Sequence, residues 1–430
     1  MLHSGKVSAS LRPEAVRRAV GIAMLAAFAA ALAACGGNDD VSCPGTACIP
    51  CTGPDCGPNE VSYGLVAGNF TGNGFTSIVQ TSTVINGTGP YTGNLKAYLS
   101  NGPGTYGAPV LTSAGHNPLY LASADLNGDH LPDVVSASFD DGSLSVFMNN
   151  PGSPGSFAPP VVLPSPGASQ VAIADMNGDG LPDLISADYN VSLFVQSSPG
   201  TFANPIMLYA GGANWVVAGD LNNDGAPDVA LVDNFGVWVL MHTGAPSSTT
   251  FAAPLLAYME GANPWYIGAN IVAIADVNGD GLKDLVVTDP GPRGGGAPVV
   301  AVLLQDPAKP GTFQPPVNYP TAPGSLAQSI VVADVNGDGH PDIIVGGTSA
   351  VTVLLQNPAS PGAFMPMANY PVTNANSIAV ADVNADSLPD IVVATGPQQQ
   401  AVNGVTPNAA GVLLQSSTTP GTFGALQNLP

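Results

Sequence analysis

The stretch "DVNGDGHPD", Asp334–Asp342, carries aspartate at positions 1, 5 and 9 and asparagine at position 3 of a nine-residue segment. Five further copies occur, starting at Asp125, Asp175, Asp220, Asp276 and Asp382: "DLNGDHLPD", "DMNGDGLPD", "DLNNDGAPD", "DVNGDGLKD" and "DVNADSLPD". Self-similarity at steps of 45 to 58 residues indicates an array of one repeated structural unit. These copies are called the acidic loops below.

Each acidic loop lies between short apolar runs. "IVVA" precedes Asp334, "IIVG" follows Asp342, and "VTVLLQ" starts at Val351. Runs of four to six β-branched residues bounded by turn signals predict strands. A Pro-Gly or Ser/Thr-rich turn with an aromatic residue follows in every repeat and is predicted to open a fourth strand. The seven aromatic residues are Tyr106, Phe157, Phe202, Phe251, Phe313, Phe364 and Phe423.

The repeat count is seven, because one uncharged copy precedes the six acidic ones. A step of 56 residues back from Asp125 reaches "NFTGNGFTS", which has Asn69, Thr71, Asn73 and Ser77 at the ligand-type positions. Four antiparallel strands in about 50 residues, repeated seven times, describe a propeller blade. We therefore predict an all-β, seven-bladed β-propeller of four-stranded antiparallel blades over residues 61–430. The strand before each acidic loop should be innermost, and the ring should close by face packing without a shared strand. An open, solenoid-like array is the alternative.

Composition agrees with this class. The 430 residues include 52 glycines and 42 prolines, and only 9% are charged, which favours many short strands and tight turns over helices. Of the eight Lys and Arg residues, only Lys96, Lys283, Arg293 and Lys309 lie beyond residue 34. Nucleic acid is therefore excluded as a partner, since phosphate binding needs clustered cations. Eighteen of the 27 aspartates lie in the acidic loops, which makes divalent cations the expected partner.

Residues 1–34 predict an export signal. Three arginines precede the apolar run "AVGIAMLAAFAAALAA", which is shorter than the roughly 20 residues that a spanning helix needs. The tetrad "LAAC" ending at Cys35 resembles the lipobox of bacterial lipoproteins, which implies that Cys35 is lipidated. The following Gly36 resembles the sorting signal for the outer membrane. A plain secretory signal and a retained membrane anchor are the alternatives.

Residues 35–60 are predicted to form a tether rich in Cys, Gly and Pro. Cys43, Cys48, Cys51 and Cys56 lie in this segment, and an even number of cysteines in an exported chain predicts two disulfides. The C-x2-C spacing of Cys48 and Cys51 leaves a zinc site as the alternative.

The acidic loops supply the ligands that calcium prefers. Calcium takes six to eight oxygens from carboxylates, amides and backbone carbonyls. Positions 1, 3, 5 and 9 offer side-chain oxygens, position 7 offers a carbonyl, and a glycine at position 6 permits the turn. An EF-hand is excluded because position 12 is Ser136, Ser186, Leu231, Val287, Val345 or Val393, never glutamate, and because the flanks are predicted strands.

This loop at blade spacing resembles the calcium loop of the FG-GAP or VCBS repeat family, which includes the propeller of integrin α chains. The resemblance implies up to six structural calcium ions. The implied ligands are Asp125, Asn127, Asp129, Asp133, Asp175, Asn177, Asp179, Asp183, Asp220, Asn222, Asp224, Asp228, Asp276, Asn278, Asp280, Asp284, Asp334, Asn336, Asp338, Asp342, Asp382, Asn384, Asp386 and Asp390.

Two acidic loops should bind more weakly, because His130 and Ser387 replace the glycine at position 6. The uncharged first copy should bind nothing. The alternative for all copies is a set of capped turns without metal.

No catalytic constellation is evident. The histidines after residue 34 are His116, His130, His242 and His340, two of them inside acidic loops, and none is paired with a nucleophile or carboxylate at a recognisable spacing. We therefore expect a surface-tethered binding or adhesion module, monomeric, with an unidentified protein or glycan ligand. A lectin-like or carbohydrate-active role is the alternative.

The candidate ligand face follows from strand direction. The acidic loops and aromatic turns should share one face, and the connections from second to third strand and from blade to blade should emerge at the other. Two long insertions fall there: residues 258–270, with Trp265 and Tyr266, and residues 289–298, with Arg293. Aromatic rings beside a guanidinium suit stacking on a sugar or gripping an acidic group.

Overall fold

Seven antiparallel sheets follow one another along the chain; in each, four strands pair in the order in which the chain forms them, and the first sheet holds a fifth, short strand as well. The computed structural model describes residues 59–85, 91–244, 247–258, 271–289, 297–396 and 410–430. All of them belong to one unit, Pro58–Pro430. The predicted all-β, seven-bladed propeller is confirmed, and blades 1 to 7 are numbered here in chain order.

The strand bounds are as follows. The first strands are Leu65–Gly68, Pro118–Ala124, Gln170–Ala174, Trp215–Gly219, Val272–Ala275, Ala327–Ala333 and Ala375–Ala381. The second strands are Ser77–Ile85, Asp133–Ser138, Asp183–Ala187, Asp228–Val232, Asp284–Asp289, Asp342–Gly347 and Asp390–Thr395. The third strands are Thr92–Tyr98, Ser143–Phe147, Val191–Phe194, Val237–Leu240, Val299–Leu303, Ala350–Leu354 and Ala410–Leu413. The fourth strands are Val110–His116, Val161–Pro164, Ile206–Tyr209, Leu255–Tyr258, Val317–Pro320, Ala368–Pro371 and Gln427–Asn428.

Three short elements complete the described part of the chain. Asn59–Val61 pairs with the far end of the second strand of blade 1, beside the first strand of that blade. Two small hairpins, Ser100–Gly102 with Thr105–Tyr106 and Gln196–Ser198 with Thr201–Phe202, form between third and fourth strands.

The first strands lie nearest the propeller axis, because those of consecutive blades contact one another around the whole ring. The second and third strands are the most buried. Every residue of Asp342–Gly347 and of Ala350–Leu354 is buried, since neighbouring blades cover both faces of these strands. Their Val, Ile and Leu side chains form apolar clusters between adjacent blades, such as the one that joins blades 4 and 5.

The ring closes between blade 7 and blade 1 without a shared strand, as predicted. Leu65 and Ile78 of blade 1 pack in one cluster with Val383 and Val392 of blade 7. Three hydrogen bonds reinforce this joint, including one from the Gly104 amide to the Val383 carbonyl at 2.8 Å.

The aromatic turn differs from the prediction in one respect. In blades 1 and 3, Tyr106 and Phe202 lie in the two small hairpins. In the other five blades the aromatic residue forms a single β-bridge with the second residue after the third strand, as Phe313 does with Gln305, and the fourth strand starts only later, at Val317 in that blade. Pro315 and Pro316 stand between them. Because proline has no backbone N–H, it interrupts the ladder at this point.

Several predicted residues lie outside the described part of the chain. They are the lipidation candidate Cys35, the cysteines Cys43, Cys48, Cys51 and Cys56, and the ligand-face residues Trp265, Tyr266 and Arg293. Within the residues that are described, no helix has the length and apolar character needed to cross a membrane.

Candidate metal centres in the acidic loops

Every acidic loop joins the first strand of a blade to its second strand, and all of them emerge at one face, called the loop face here. Two residues with positive φ curl each loop. Position 6 is left-handed as expected, with φ of 83° at Gly339, 69° at His130 and 67° at Ser387. Position 4 is left-handed too, even at Asn223 and Ala385. The sequence did not point to this second position, because asparagine and alanine stand where four of the acidic loops have glycine.

The position-1 aspartate organises the loop through its carboxylate. In blade 6, Asp334 accepts backbone hydrogen bonds from Gly337 at 2.7 Å and from Gly339 at 2.9 Å. The equivalent bond from position 6 to position 1 is present in all six acidic loops. Backbone N–H groups therefore converge on this carboxylate and fix its orientation.

The side chains at positions 3 and 5 are held together on the exposed side of the loop. The Asn336 amide group donates from Nδ2 to Oδ2 of Asp338 at 3.0 Å, and Asn336 Oδ1 accepts the backbone N–H of Asp338 at 2.9 Å. The same side-chain bond forms in the other five acidic loops. Two of the predicted side-chain ligands are therefore brought together six times.

The position-9 aspartate has a second role that the sequence did not reveal. Asp342 is completely buried, and its two oxygens accept backbone N–H groups of Val335 at 3.0 Å and of Gln356 at 2.8 Å. Val335 belongs to the same loop, whereas Gln356 follows the third strand. This carboxylate therefore fastens the acidic loop to the third strand, and the pattern recurs in the other acidic loops.

Burial of the position-9 carboxylates changes their acidity. Burial raises the pKa of Asp133, Asp183, Asp228, Asp284 and Asp342 to about 6, although the two backbone N–H bonds act in the opposite direction. The charges at positions 5 and 1 raise the pKa a little further. The pKa of Asp390 is raised for the same reasons. The carboxylate charges at positions 1 and 5 therefore act on the buried carboxylate at position 9.

The residue after the third strand completes this arrangement and was missed from the sequence. In blade 6 the Gln356 side chain donates from Nε2 to the carbonyl of Pro341 at 2.9 Å and to that of Val277, in the preceding blade, at 2.6 Å. Glutamine or asparagine occupies this place in five of the six acidic blades, and His242 occupies it in blade 4. The glutamine that ends "VTVLLQ" is its signal in the sequence.

The uncharged first copy folds in the same way without carboxylates. Gly72 and Gly74 have positive φ, Asn69 accepts the amide of Gly74 at 3.2 Å, and Asn73 accepts that of Phe75 at 2.9 Å. The backbone turn alone therefore does not require a metal. What sets the other six copies apart is their charge.

The donor set of the acidic loops fits a hard cation. Positions 1, 3 and 5 present two carboxylates and an amide oxygen, and position 9 adds a buried carboxylate whose oxygens have lone pairs beyond the two N–H bonds that they accept. In the described part of the chain, no three His, Cys, Asp or Glu side chains gather into a metal-binding cluster. Each acidic loop instead combines carboxylate oxygens with amide and carbonyl oxygens.

The left-handed residues of the blade 7 loop lead to a prediction about stability. Replacing Ser387 with glycine should raise the free energy of unfolding by roughly 0.5 to 1 kcal/mol, because glycine adopts positive φ without strain. The backbone bond from residue 387 to Asp382 is retained. Gly339→Ser is the matched reverse change, since a Cβ there meets no atom within 4 Å. Urea denaturation in chelator measures both changes. A loss of stability in Ser387→Gly would contradict the strain argument.

The opposite face of the propeller, called the far face here, carries exposed aromatic side chains on two neighbouring blades. Phe235, in the hairpin between the second and third strands of blade 4, is 67% exposed, and Tyr189, in the equivalent hairpin of blade 3, is 43% exposed. Asp233 fixes the hairpin of Phe235: it accepts the Phe235 amide at 2.7 Å and the Tyr209 hydroxyl of blade 3 at 2.9 Å. A rigid backbone therefore presents Phe235 to solvent.

Solved structures that are similar to this chain belong to several kinds of protein. A lectin from Agrocybe aegerita that recognises non-reducing terminal N-acetylglucosamine is 21% identical, with a TM-score of 0.51 over 73% of this chain and 80% of that one. The biofilm matrix protein Bap1 of V. cholerae is 13% identical, with a TM-score of 0.46 over 86% and 91%. A Lactobacillus plantarum protein is 14% identical, with a TM-score of 0.47 over 87% and 97%.

The sequence comparisons identify the family. A search of curated proteins finds no significant match. The model of the FG-GAP-like repeat matches residues 125–186, 175–231, 276–345 and 334–393, each match running from one acidic loop into the second strand of the next blade. Together these matches cover just over half of the chain, so the chain belongs to the FG-GAP-like repeat family.

Proposed function

We propose that this propeller is a calcium-binding module that is exported, tethered to the cell envelope, and used for binding or adhesion. The observation that carries the proposal is the set of six acidic loops. In each, positions 3 and 5 are already joined and the position-1 carboxylate is already oriented by backbone N–H groups.

Electrostatics supports a cation in these loops. Three carboxylates in nine residues repel one another, and the buried one is disfavoured in its charged form by desolvation. The residues that would hold calcium are those at positions 1, 3, 5 and 9, together with the carbonyl at position 7. A bound divalent cation supplies the positive charge that this set lacks. The uncharged loop of blade 1 has no such need and would bind none.

The ligand is proposed to bind at the far face. Large exposed aromatic side chains on a rigid hairpin are the groups that stack on sugar rings or anchor a protein partner, and Phe235 and Tyr189 occupy that position on neighbouring blades. The predicted ligand residues Trp265, Tyr266 and Arg293 lie outside the described residues and remain part of this proposal. A lectin-like role is the second candidate, supported by these aromatic side chains, and we propose no enzymatic activity.

Phe235→Ala is expected to weaken binding to whichever glycan or protein the calcium-loaded chain captures from a glycan array or a set of envelope proteins. The loss should be about tenfold or more, as for an aromatic anchor, with no change in melting temperature. Tyr319→Phe, which changes an aromatic side chain far from the hairpin, is the control. Normal binding by Phe235→Ala and by Tyr189→Ala would remove these residues from the ligand site, and release of sugars from a bound glycan would establish an enzyme instead.

The predicted lipid anchor is tested by a substitution at Cys35. Cys35→Ser should shift the protein from the membrane fraction to the soluble fraction or leave an unprocessed precursor, because a lipid chain requires that thiol. Cys43→Ser is the matched control, since it removes a thiol from the tether. Fractionation and intact-mass measurement of the mature protein distinguish the two variants. Unchanged membrane association and processing of Cys35→Ser would contradict the lipoprotein assignment.

A further inference from the structure

The second strand of blade 1 carries more buried polar side chains than the second strand of any other blade. Gln80, Thr81, Ser82 and Thr83 are consecutive and buried. The equivalent second strand of blade 4, Asp228–Val232, continues from its loop aspartate entirely with Val, Ala and Leu. A buried strand with four polar side chains in a row stabilises its neighbours only to the extent that each polar atom finds a partner.

Four polar atoms in the two joints of this blade find none among the described residues. They are Gln80 Oε1, Ser82 Oγ, Thr83 Oγ1 and, on the second strand of blade 2, Ser136 Oγ. Successive side chains of a strand point to opposite faces. Ile78 packs with blade 7 and Val79 with blade 2, so Gln80 and Ser82 face blade 7 while Thr83 faces blade 2.

The joint between blades 4 and 5 is apolar in comparison. The cluster between blades 4 and 5 consists of buried Val, Leu and Ala side chains with one tyrosine. Blade 4 also has three polar atoms without partners, but these are ring nitrogens of Trp215, Trp238 and His242, whose rings pack against apolar or aromatic neighbours. In blade 6 the amide oxygens Gln328 Oε1 and Gln356 Oε1 are also unpaired. Around blade 1, unpaired hydroxyl and amide oxygens occur in the joints on both sides, among the residues that the structure describes.

The two halves of blade 1 are also unequal. Next to the loop face, Phe70, Ile78 and Val79 pack in apolar clusters with blades 2 and 7. The unpaired atoms lie on the part of the strand that runs toward the far face. There, Thr83 pairs with Val61 of Asn59–Val61, the short strand through which the preceding chain enters the propeller.

We infer that the ring opens locally at blade 1. The half of this blade next to the far face separates from blades 2 and 7, while the apolar half at the loop face stays packed and acts as the hinge. Asn59–Val61 pairs with this same half of the blade. The inference does not depend on calcium binding, since the blade 1 loop has no carboxylate.

Native-state hydrogen exchange of the full mature chain tests this inference. The amides of Gln80–Thr83 should exchange at least about tenfold faster than those of the second strand of blade 5, Asp284–Asp289, under conditions in which the protein stays folded. Exchange of both strands at one common rate, set by global unfolding, would overturn it.

A pair of substitutions on one strand face sharpens the test. Thr83→Val keeps the side-chain shape and removes an unpaired hydroxyl, so exchange in blade 1 should slow by about tenfold while exchange in blade 5 is unchanged. Thr81→Val removes a hydroxyl that donates to the Leu119 carbonyl at 2.9 Å and accepts the Gly64 amide at 2.9 Å, so exchange in blade 1 should accelerate. Equal effects of Thr83→Val on all blades, or faster exchange in blade 1, would overturn the inference even if Thr81→Val fails to fold.

Discussion

Removal of calcium is expected to lower the melting temperature of the folded protein by roughly 10 °C or more. Each occupied site adds about 2.7 kcal/mol to the free energy of unfolding when the free ion is at 100 times its Kd, and up to six sites contribute. Differential scanning calorimetry with calcium and with chelator measures the shift, and isothermal titration gives the number of ions. Six is the upper limit, because the blade 1 loop lacks carboxylates.

Two substitutions with the same change in charge separate the acidic loops from general electrostatics. Asp338→Asn removes a position-5 carboxylate and should reduce the number of bound ions by one. Asp306→Asn removes a carboxylate outside the loops, between the third and fourth strands of blade 5, and should leave the number unchanged. An unchanged melting temperature in chelator, together with no heat of calcium binding, would leave the loops as turns without metal.

Asp342→Ala is expected to lower the free energy of unfolding by about 2 to 5 kcal/mol even in chelator. The buried amides of Val335 and Gln356 would each lose their acceptor, and an unpaired buried N–H costs about 1 to 3 kcal/mol. Asp338→Ala, in the same loop, should cost much less in chelator, because Asp338 is exposed to water that replaces its lost hydrogen bonds.

Urea denaturation of both variants in chelator measures the difference. If Asp342→Ala and Asp338→Ala are equally stable, the position-9 carboxylate does not hold the loop to the third strand, and its only role would then be with the metal.

The repeats could be predicted from the sequence because the loop residues recur at fixed positions within each copy. Counting back from Asp125 located Asn69–Ser77, a loop with no acidic residue, and the structure places the same two left-handed turns there. Glycine at position 6 likewise predicted a left-handed residue, which the structure confirms at Gly339 and, against their side chains, at His130 and Ser387.

The contacts between loop and third strand could not be found in this way. The partner of the position-9 aspartate lies 13 residues away in blade 3 and 25 residues away in blade 7, since connections of different length intervene. Gln196 and Gln415 therefore share no fixed spacing with their loops. Only the pairing of second and third strands places each glutamine beside its aspartate.

The polar joints of blade 1 were also beyond sequence reasoning. "VQTST", residues 79–83, is compatible with any half-exposed strand. Its burial follows from neighbouring blades that cover both faces of the strand, which is a property of the ring and not of the segment.

Because the ring closes without a shared strand, the four main strands have the same order in every blade, and blade 1 differs only in its extra strand Asn59–Val61. Each blade is one uninterrupted stretch of chain, and the break between Asn428 and Leu65 corresponds to the ordinary connection Ser165–Ser169 between blades 2 and 3. A short linker there, with a new cut at any other connection between blades, would give a circular permutant with the same interfaces. A whole blade could equally be gained or lost by duplication or deletion of one contiguous gene segment. The weakness inferred for blade 1 thus resides in its side chains and would travel with them to any position in the order.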